Sequence, residues 1–148
     1  MTLLDEIQTG PLADALAPHV AARHDAMVAK LLNEPTIPVL GHVTRADFVI
    51  WAAAGPRASI EDIAATSGHP LRASALTLLD FVRGASDTLD MGHASVGTLF
   101  DAWAAMGAIT AEQKATLEAL GTRMIGRAEQ AGLGVVHHSQ VSAALNGG

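Results

Sequence analysis

Thr44-Arg45-Ala46-Asp47-Phe48-Val49-Ile50-Trp51-Ala52-Ala53-Ala54-Gly55 is the stretch that decides the fold class. It opens on a hydroxyl residue with an acid three places on, the form of a helix capping box in which the Thr44 hydroxyl accepts from the Asp47 amide. Aspartate is shorter than the preferred glutamate, so the reciprocal bond is harder to make. An apolar run follows. Gly55 then stands where a helix stops, because glycine enters the left-handed region without a steric penalty. The stretch predicts a helix over about 44–54. Phe48 to Ala54 is also the longest uninterrupted apolar run in the chain, far short of the roughly 20 residues that span a bilayer.

The same signals recur outward in both directions. Thr110-Ala111-Glu112-Gln113 is the clearest capping box, and Ser59-Ile60-Glu61-Asp62 has the same form within a helix that could open at Pro56. Asp25, Ser95 and Ser139 are expected N-caps. Pro11 and Pro70 suit first turns, whereas Pro18 is expected to kink or split its helix. Gly84, Gly107, Gly121 and Gly132 each follow an apolar periodic stretch, like Gly55, and read as left-handed stops. Helices are predicted at about 2–9, 11–22, 25–33, 44–54, 57–67, 70–84, 94–107, 110–120, 121–131 and 139–146. Trp51-Ala52-Ala53-Ala54-Gly55 and Trp103-Ala104-Ala105-Met106-Gly107 echo each other; chance in an alanine-rich chain competes with a duplicated hairpin.

Two stretches read as extended. Pro35 and Pro38 forbid a helix around Thr36–Val43, and Leu133–His138 is short and β-branched. They are expected to pair as a minimal two-stranded ribbon, 37–43 with 133–138, the alternative being two unpaired loops. The reading is therefore all-α: one compact domain over 1–148, about seven to ten short helices, at most that ribbon. Residues after Gly132 are expected to belong to the fold, with Val135, Val136, Val141 and Leu145 inside.

Composition agrees. The 148 residues are 49% apolar and 16% charged, and 29 are alanine, a balance that excludes intrinsic disorder. Nine basic residues against fifteen acidic ones give a net charge of −6. No basic run exists to neutralise phosphates or an anionic membrane, so neither nucleic acid nor membrane is an expected partner. Met1–Glu6 carries acids where a signal peptide needs positive charge, which predicts a soluble protein not exported by that route. The absence of cysteine removes disulfides, thiolate metal sites and thiol catalysis.

Chemistry-bearing motifs are sparse. His19 and His24 are five apart and do not share a helix face. His42, His69 and His93 sit by Gly or Pro, and His137-His138 would point to opposite sides of a strand. No metal-ligand spacing or cofactor motif results, and the histidines read as loop or capping residues. Gly92-His93-Ala94-Ser95-Val96-Gly97 lacks the glycine two places before the serine that a nucleophile elbow needs. Glu61-Asp62 reads as a solvated first turn and Asp87…Asp90 as a loop. Arg123 and Arg127 fall four apart on one predicted helix face, as a small anion site or, preferred for Arg127, an exposed or interfacial ion pair. Trp51 and Trp103 are either interface anchors or core residues.

Thr36–Gly41, Val43–Ala53, Pro70–Asp80, Gly121–Gln130 and Leu133–His137 together resemble small helical, mostly uncharacterised proteins encoded among the tail and other virion genes of tailed bacteriophages and prophages. The resemblance runs over most of the chain and carries over no catalytic residue. It implies a non-enzymatic structural protein of the virion, tail-associated first, with head decoration as the near variant. Its partners would be other virion proteins or copies of itself, with Trp51, Trp103, Arg123 and Arg127 as interface candidates. A soluble helical interaction or regulatory module is the alternative. A small hydrolase using His93, Ser95 or the Asp87/Asp90 loop is the third reading.

Overall fold

The computed structural model describes residues 1–147 and is mostly helical. In chain order the elements are α1 (Leu3–Thr9), α2 (Ala13–Ala21), α3 (Asp25–Asn33), β1 (Ile37–Leu40), β2 (His42–Thr44), α4 (Arg45–Ala53), α5 (Pro56–Ala65), α6 (Arg72–Asp80), β3 (Thr88–Asp90), α7 (Ala94–Ala105), α8 (Ala111–Gly121), β4 (Thr122–Ile125), α9 (Arg127–Gln130) and α10 (His138–Asn146). The expectation of an all-α fold with a minimal strand content holds. The chain divides into two compact units, one made of Val39–Arg123 and the other of Met1–Pro38 with Met124–Gly148.

The Val39–Arg123 unit is built on the antiparallel pair β2–β3, with Val43 opposite Leu89 and Thr44 opposite Thr88. Strand alternation buries Val43 while His42 and Thr44 face out. Thr44 also caps α4: its hydroxyl accepts from the Asp47 amide at 3.1 Å and donates to the Asp47 carboxylate at 2.8 Å. The short aspartate thus ends on the hydroxyl. At Thr110 the box closes both ways, the hydroxyl accepting from Gln113 N–H and the Gln113 side chain from Thr110 N–H. All five aromatic residues of the chain are buried in this unit. Phe48 packs 5.1 Å from Trp51 and edge-on to Phe81 at 5.3 Å, and Phe100 meets Trp51 edge-on at 6.2 Å, the arrangement that the ring quadrupole favours.

The predicted helix over 70–84 ends earlier than expected. α6 passes into a wider π-type turn, Phe81–Ala85, in which Gly84 takes φ 107°. Gly121 is not a left-handed stop but the last residue of α8. A Cβ there would lie 3.0 Å from Val43 Cγ2 and 3.1 Å from Met91 Cγ, so glycine is set by close packing rather than by backbone conformation.

The other unit packs α1, α2, α3, α9 and α10 around Ile7, Leu16, Val28, Leu32, Ala128, Val136 and Val141. Pro18 lies inside α2 without splitting it. Asp25 is the first residue of α3 rather than its cap, which is His24. Ser139 lies inside α10, whose cap His137 donates its N–H to Gln140 Oε1 at 2.7 Å.

Two expectations fail here for a common reason. Residues 121–131 do not form one helix, because Thr122–Ile125 is strand β4, paired with β1. The segment 133–138 therefore does not pair with 37–43 and is not a strand. Gly132 and Gly134 take φ 76° and 66°, which breaks the extended run. In place of a partner strand, Val136 meets the side chain of Asn33: its N–H donates to Asn33 Oδ1 at 2.9 Å and its carbonyl accepts from Asn33 Nδ2 at 2.6 Å. Val136 and Val141 are buried and Leu145 half-buried, as expected, but Val135 is 69% exposed.

Candidate interaction surface

Most residues singled out in the sequence have local structural duties. Both tryptophans are core rather than surface anchors, at 5% exposure for Trp51 and 0% for Trp103. Their polar edges are satisfied inside: the Trp51 indole donates to the Gln113 carbonyl and the Trp103 indole to Ser74 Oγ, each at 2.8 Å. His69 Nδ1 accepts from Leu71 N–H at 3.0 Å, and His93 Nδ1 from Ser95 N–H at 3.2 Å. His93 is thus the cap of α7, and Ser95 lies within the helix. Asp90 Oδ1 accepts from Gly92 N–H at 2.9 Å, and Glu61 from Arg57 at 2.8 Å. Among the described residues no group of three His, Cys, Asp or Glu could hold a metal ion.

Arg123 and Arg127 are not on one helix: the first is in β4, the second in α9. Arg127 is not an exposed ion pair either. Its Nε and Nη2 donate to the two carboxylate oxygens of Glu6 at 2.5 and 3.0 Å, and Nη1 donates to Gln130 at 2.7 Å. Glu6 is completely buried. The bond to Glu6 pushes the Arg127 guanidinium above its usual value. Gly10 closes over the pair, since a Cβ there would lie 2.5 Å from Glu6 Oε1. Sequence reasoning missed Glu6, because its partner is 121 residues away and no local pattern marks it.

The surface feature that stands out is the outer side of α4. Phe48, Trp51 and Ala52 face the core. On the far side, Ala46, Ile50 and Ala53 are exposed and Val49 is half-buried. Ile50 is 70% exposed. These residues follow helical spacing, so α4 is apolar on both sides, whereas a surface helix ordinarily has one apolar stripe. Thr44, Arg45, Ala46, Val49, Ile50 and Asp87 line an open trough of about 510 Å³ on this side. Its charged rim is tied down by two contacts: Arg45 N–H donates to the Asp87 carbonyl at 2.9 Å, and the two side chains approach to 3.8 Å.

The chemistry of this trough is that of an apolar recess with an ionic edge. It can take an aliphatic or aromatic side chain and align a polar neighbour on Arg45 or Asp87. The signal was present in the sequence as the apolar run itself, read there as a helix too short to span a bilayer, with no outward face assigned to it. Comparison with family models, curated proteins and solved structures found no match.

Proposed function

We propose that this chain is a non-enzymatic structural protein of a tailed bacteriophage particle, set in the tail region in several copies, with head decoration as the near variant. Its partners are other virion proteins and further copies of itself, and its working place is the virion. The observation that carries this reading is α4, apolar on both sides and presenting Ala46, Val49, Ile50 and Ala53 outward. An apolar helix side left uncovered marks a place where a partner can pack, and in a particle neighbouring subunits supply that cover. The resemblance of Val43–Ala53 and the other quoted segments to phage tail and virion proteins points the same way.

Ile50→Asp is the discriminating variant. The side chain is mostly in solvent, so folding stability should stay within about 0.5 kcal/mol of the original. Assembly should suffer, because burying Ile50 against a neighbour contributes roughly 1.5–3 kcal/mol. With the gene expressed from its own phage or prophage, the chain should co-purify with particles at fixed stoichiometry, and Ile50→Asp should lower its incorporation several-fold at unchanged melting temperature. Particles that lack the chain overturn the reading. Its recovery on a non-particle protein would favour the regulatory module instead.

A further inference from the structure

The chain contains two asparagines, in opposite chemical settings. Asn33 is followed by Glu34, and both arms of its side-chain amide are held by the Val136 backbone. Asn146 is followed by Gly147, and both residues are exposed. Glycine has no Cβ to hinder its own backbone nitrogen, so an Asn–Gly pair is the dipeptide in which that nitrogen most readily reaches the preceding side-chain carbonyl. Asn146 carries a second feature. Its Oδ1 accepts from Arg23 Nη2 at 2.6 Å, and its Nδ2 donates to Ser142 Oγ at 3.3 Å. Arg23 is held in the left-handed region at φ 57°, the only non-glycine residue of the described chain with positive φ. The His24 N–H bond to the His19 carbonyl at 2.9 Å closes the turn around it.

We infer that Asn146 is a modification site: it deamidates through a succinimide, with Arg23 stabilising the developing oxyanion. The Gly147 nitrogen gives its proton to solvent base and attacks Cγ of Asn146. A C–N bond forms, and the negative charge falls on Oδ1, where Arg23 holds a charge-assisted hydrogen bond. The tetrahedral intermediate collapses by breaking Cγ–Nδ2. Ammonia leaves after taking a proton from water, and the five-membered imide remains. Water then adds to an imide carbonyl and that carbonyl's C–N bond breaks, the Gly147 nitrogen taking the proton: opening at Cγ leaves aspartate, and opening at the backbone carbonyl leaves isoaspartate. The net change is one water consumed and one ammonium released, with no oxidant or reductant. The opposing interaction is the Gly147 N–H bond to the Ala143 carbonyl at 2.9 Å, which must open first; it is the final bond of α10, where helices fray. The aspartate product keeps a carboxyl group in the position that faces Arg23 and turns a neutral contact into an ion pair, whereas isoaspartate reroutes the backbone through that carbon.

The test is timed incubation of the full chain at mildly alkaline pH, read by intact mass and by peptide mapping that separates aspartate from isoaspartate. Conversion at Asn146 should outpace Asn33 several-fold and rise with pH. Gly147→Ala should suppress it. Arg23→Met should slow it several-fold, and Arg23→Lys, which keeps the charge, should fall between. Conversion at Asn146 no faster than at Asn33 overturns the site. A rate in Arg23→Met equal to or above the original overturns the role of Arg23, as does loss of the order among the three chains. Should Arg23→Met fail to fold, the comparison with Arg23→Lys alone decides: a rate above the original overturns the assistance, and a slower one supports it.

Discussion

A carboxylate taken out of water needs an opposite charge and filled lone pairs, because its desolvation costs several kcal/mol even after relaxation. Glu6 has both, from the two-pronged contact of Arg127, and Gly10 leaves the room that the carboxylate occupies. Removing the cation alone therefore leaves an uncompensated buried charge. Arg127→Met should cost about 3–5 kcal/mol of stability, measured as a lower urea midpoint. Pairing it with Glu6→Leu should recover most of the loss, since a buried ion pair is often replaceable by apolar side chains. An Arg127→Met midpoint equal to the original would show that the pair contributes nothing. At this scale the sequence was half legible. It marked Arg127 as an ion-pair residue but could not show that the partner was Glu6. It also left the tryptophans between core and surface, a question answered by their burial and by the Gln113 carbonyl and Ser74 hydroxyl that meet their indole N–H groups inside.

Helix starts were legible to the residue where a full capping box marked them, because that chemistry is local; the single-residue caps expected at Asp25, Ser95 and Ser139 fall one or two places inside helices whose caps are His24, His93 and His137. A hydroxyl and an acid or amide three residues on satisfy amides within one turn, and Thr44 and Thr110 act as read. Thr110→Ala should cost about 1 kcal/mol. A denaturation midpoint unchanged by that substitution would mean that the box is not what starts α8. Strand pairing was not legible, because register and partner are decided between distant segments. Nothing within Thr122–Ile125 distinguishes a strand from a continuing helix until β1 lies beside it. Glycine likewise has several uses that sequence does not separate. Gly107 stops a helix at φ 73°, whereas Gly121 permits the close approach of Val43 and Met91. The candidate surface was legible as an apolar run but not as a two-sided one, because burial of Phe48 and exposure of Ile50 are decided by what packs against α4.

At the scale of the molecule, the two units have separate cores and very different optical properties. Trp51 and Trp103 both lie in the Val39–Arg123 core, so tryptophan emission reports that unit, while far-ultraviolet circular dichroism reports helices in both. Deleting 133–148 removes α10, the buried Val136 and Val141, and the backbone groups that satisfy Asn33. Two fully buried valines at roughly 1.5–3 kcal/mol each, together with an orphaned part-buried amide at about 1–3 kcal/mol, amount to a large part of the 5–15 kcal/mol that typically holds a domain. The remainder of that unit, α1 to α3 and α9, should lose its packing. The Val39–Arg123 core loses no residue, and its aromatic cluster supplies its own contacts. The expected outcome is a truncated chain with reduced helical signal, exposed apolar surface and a tendency to associate, whose tryptophan emission stays blue-shifted as in the intact chain. Emission that shifts to the red along with the loss of helix would mean that the two units fold as one. An unchanged circular dichroism per residue and melting temperature would mean that α10 is an appendage, and Val136 would then have to be dispensable to the core that it occupies.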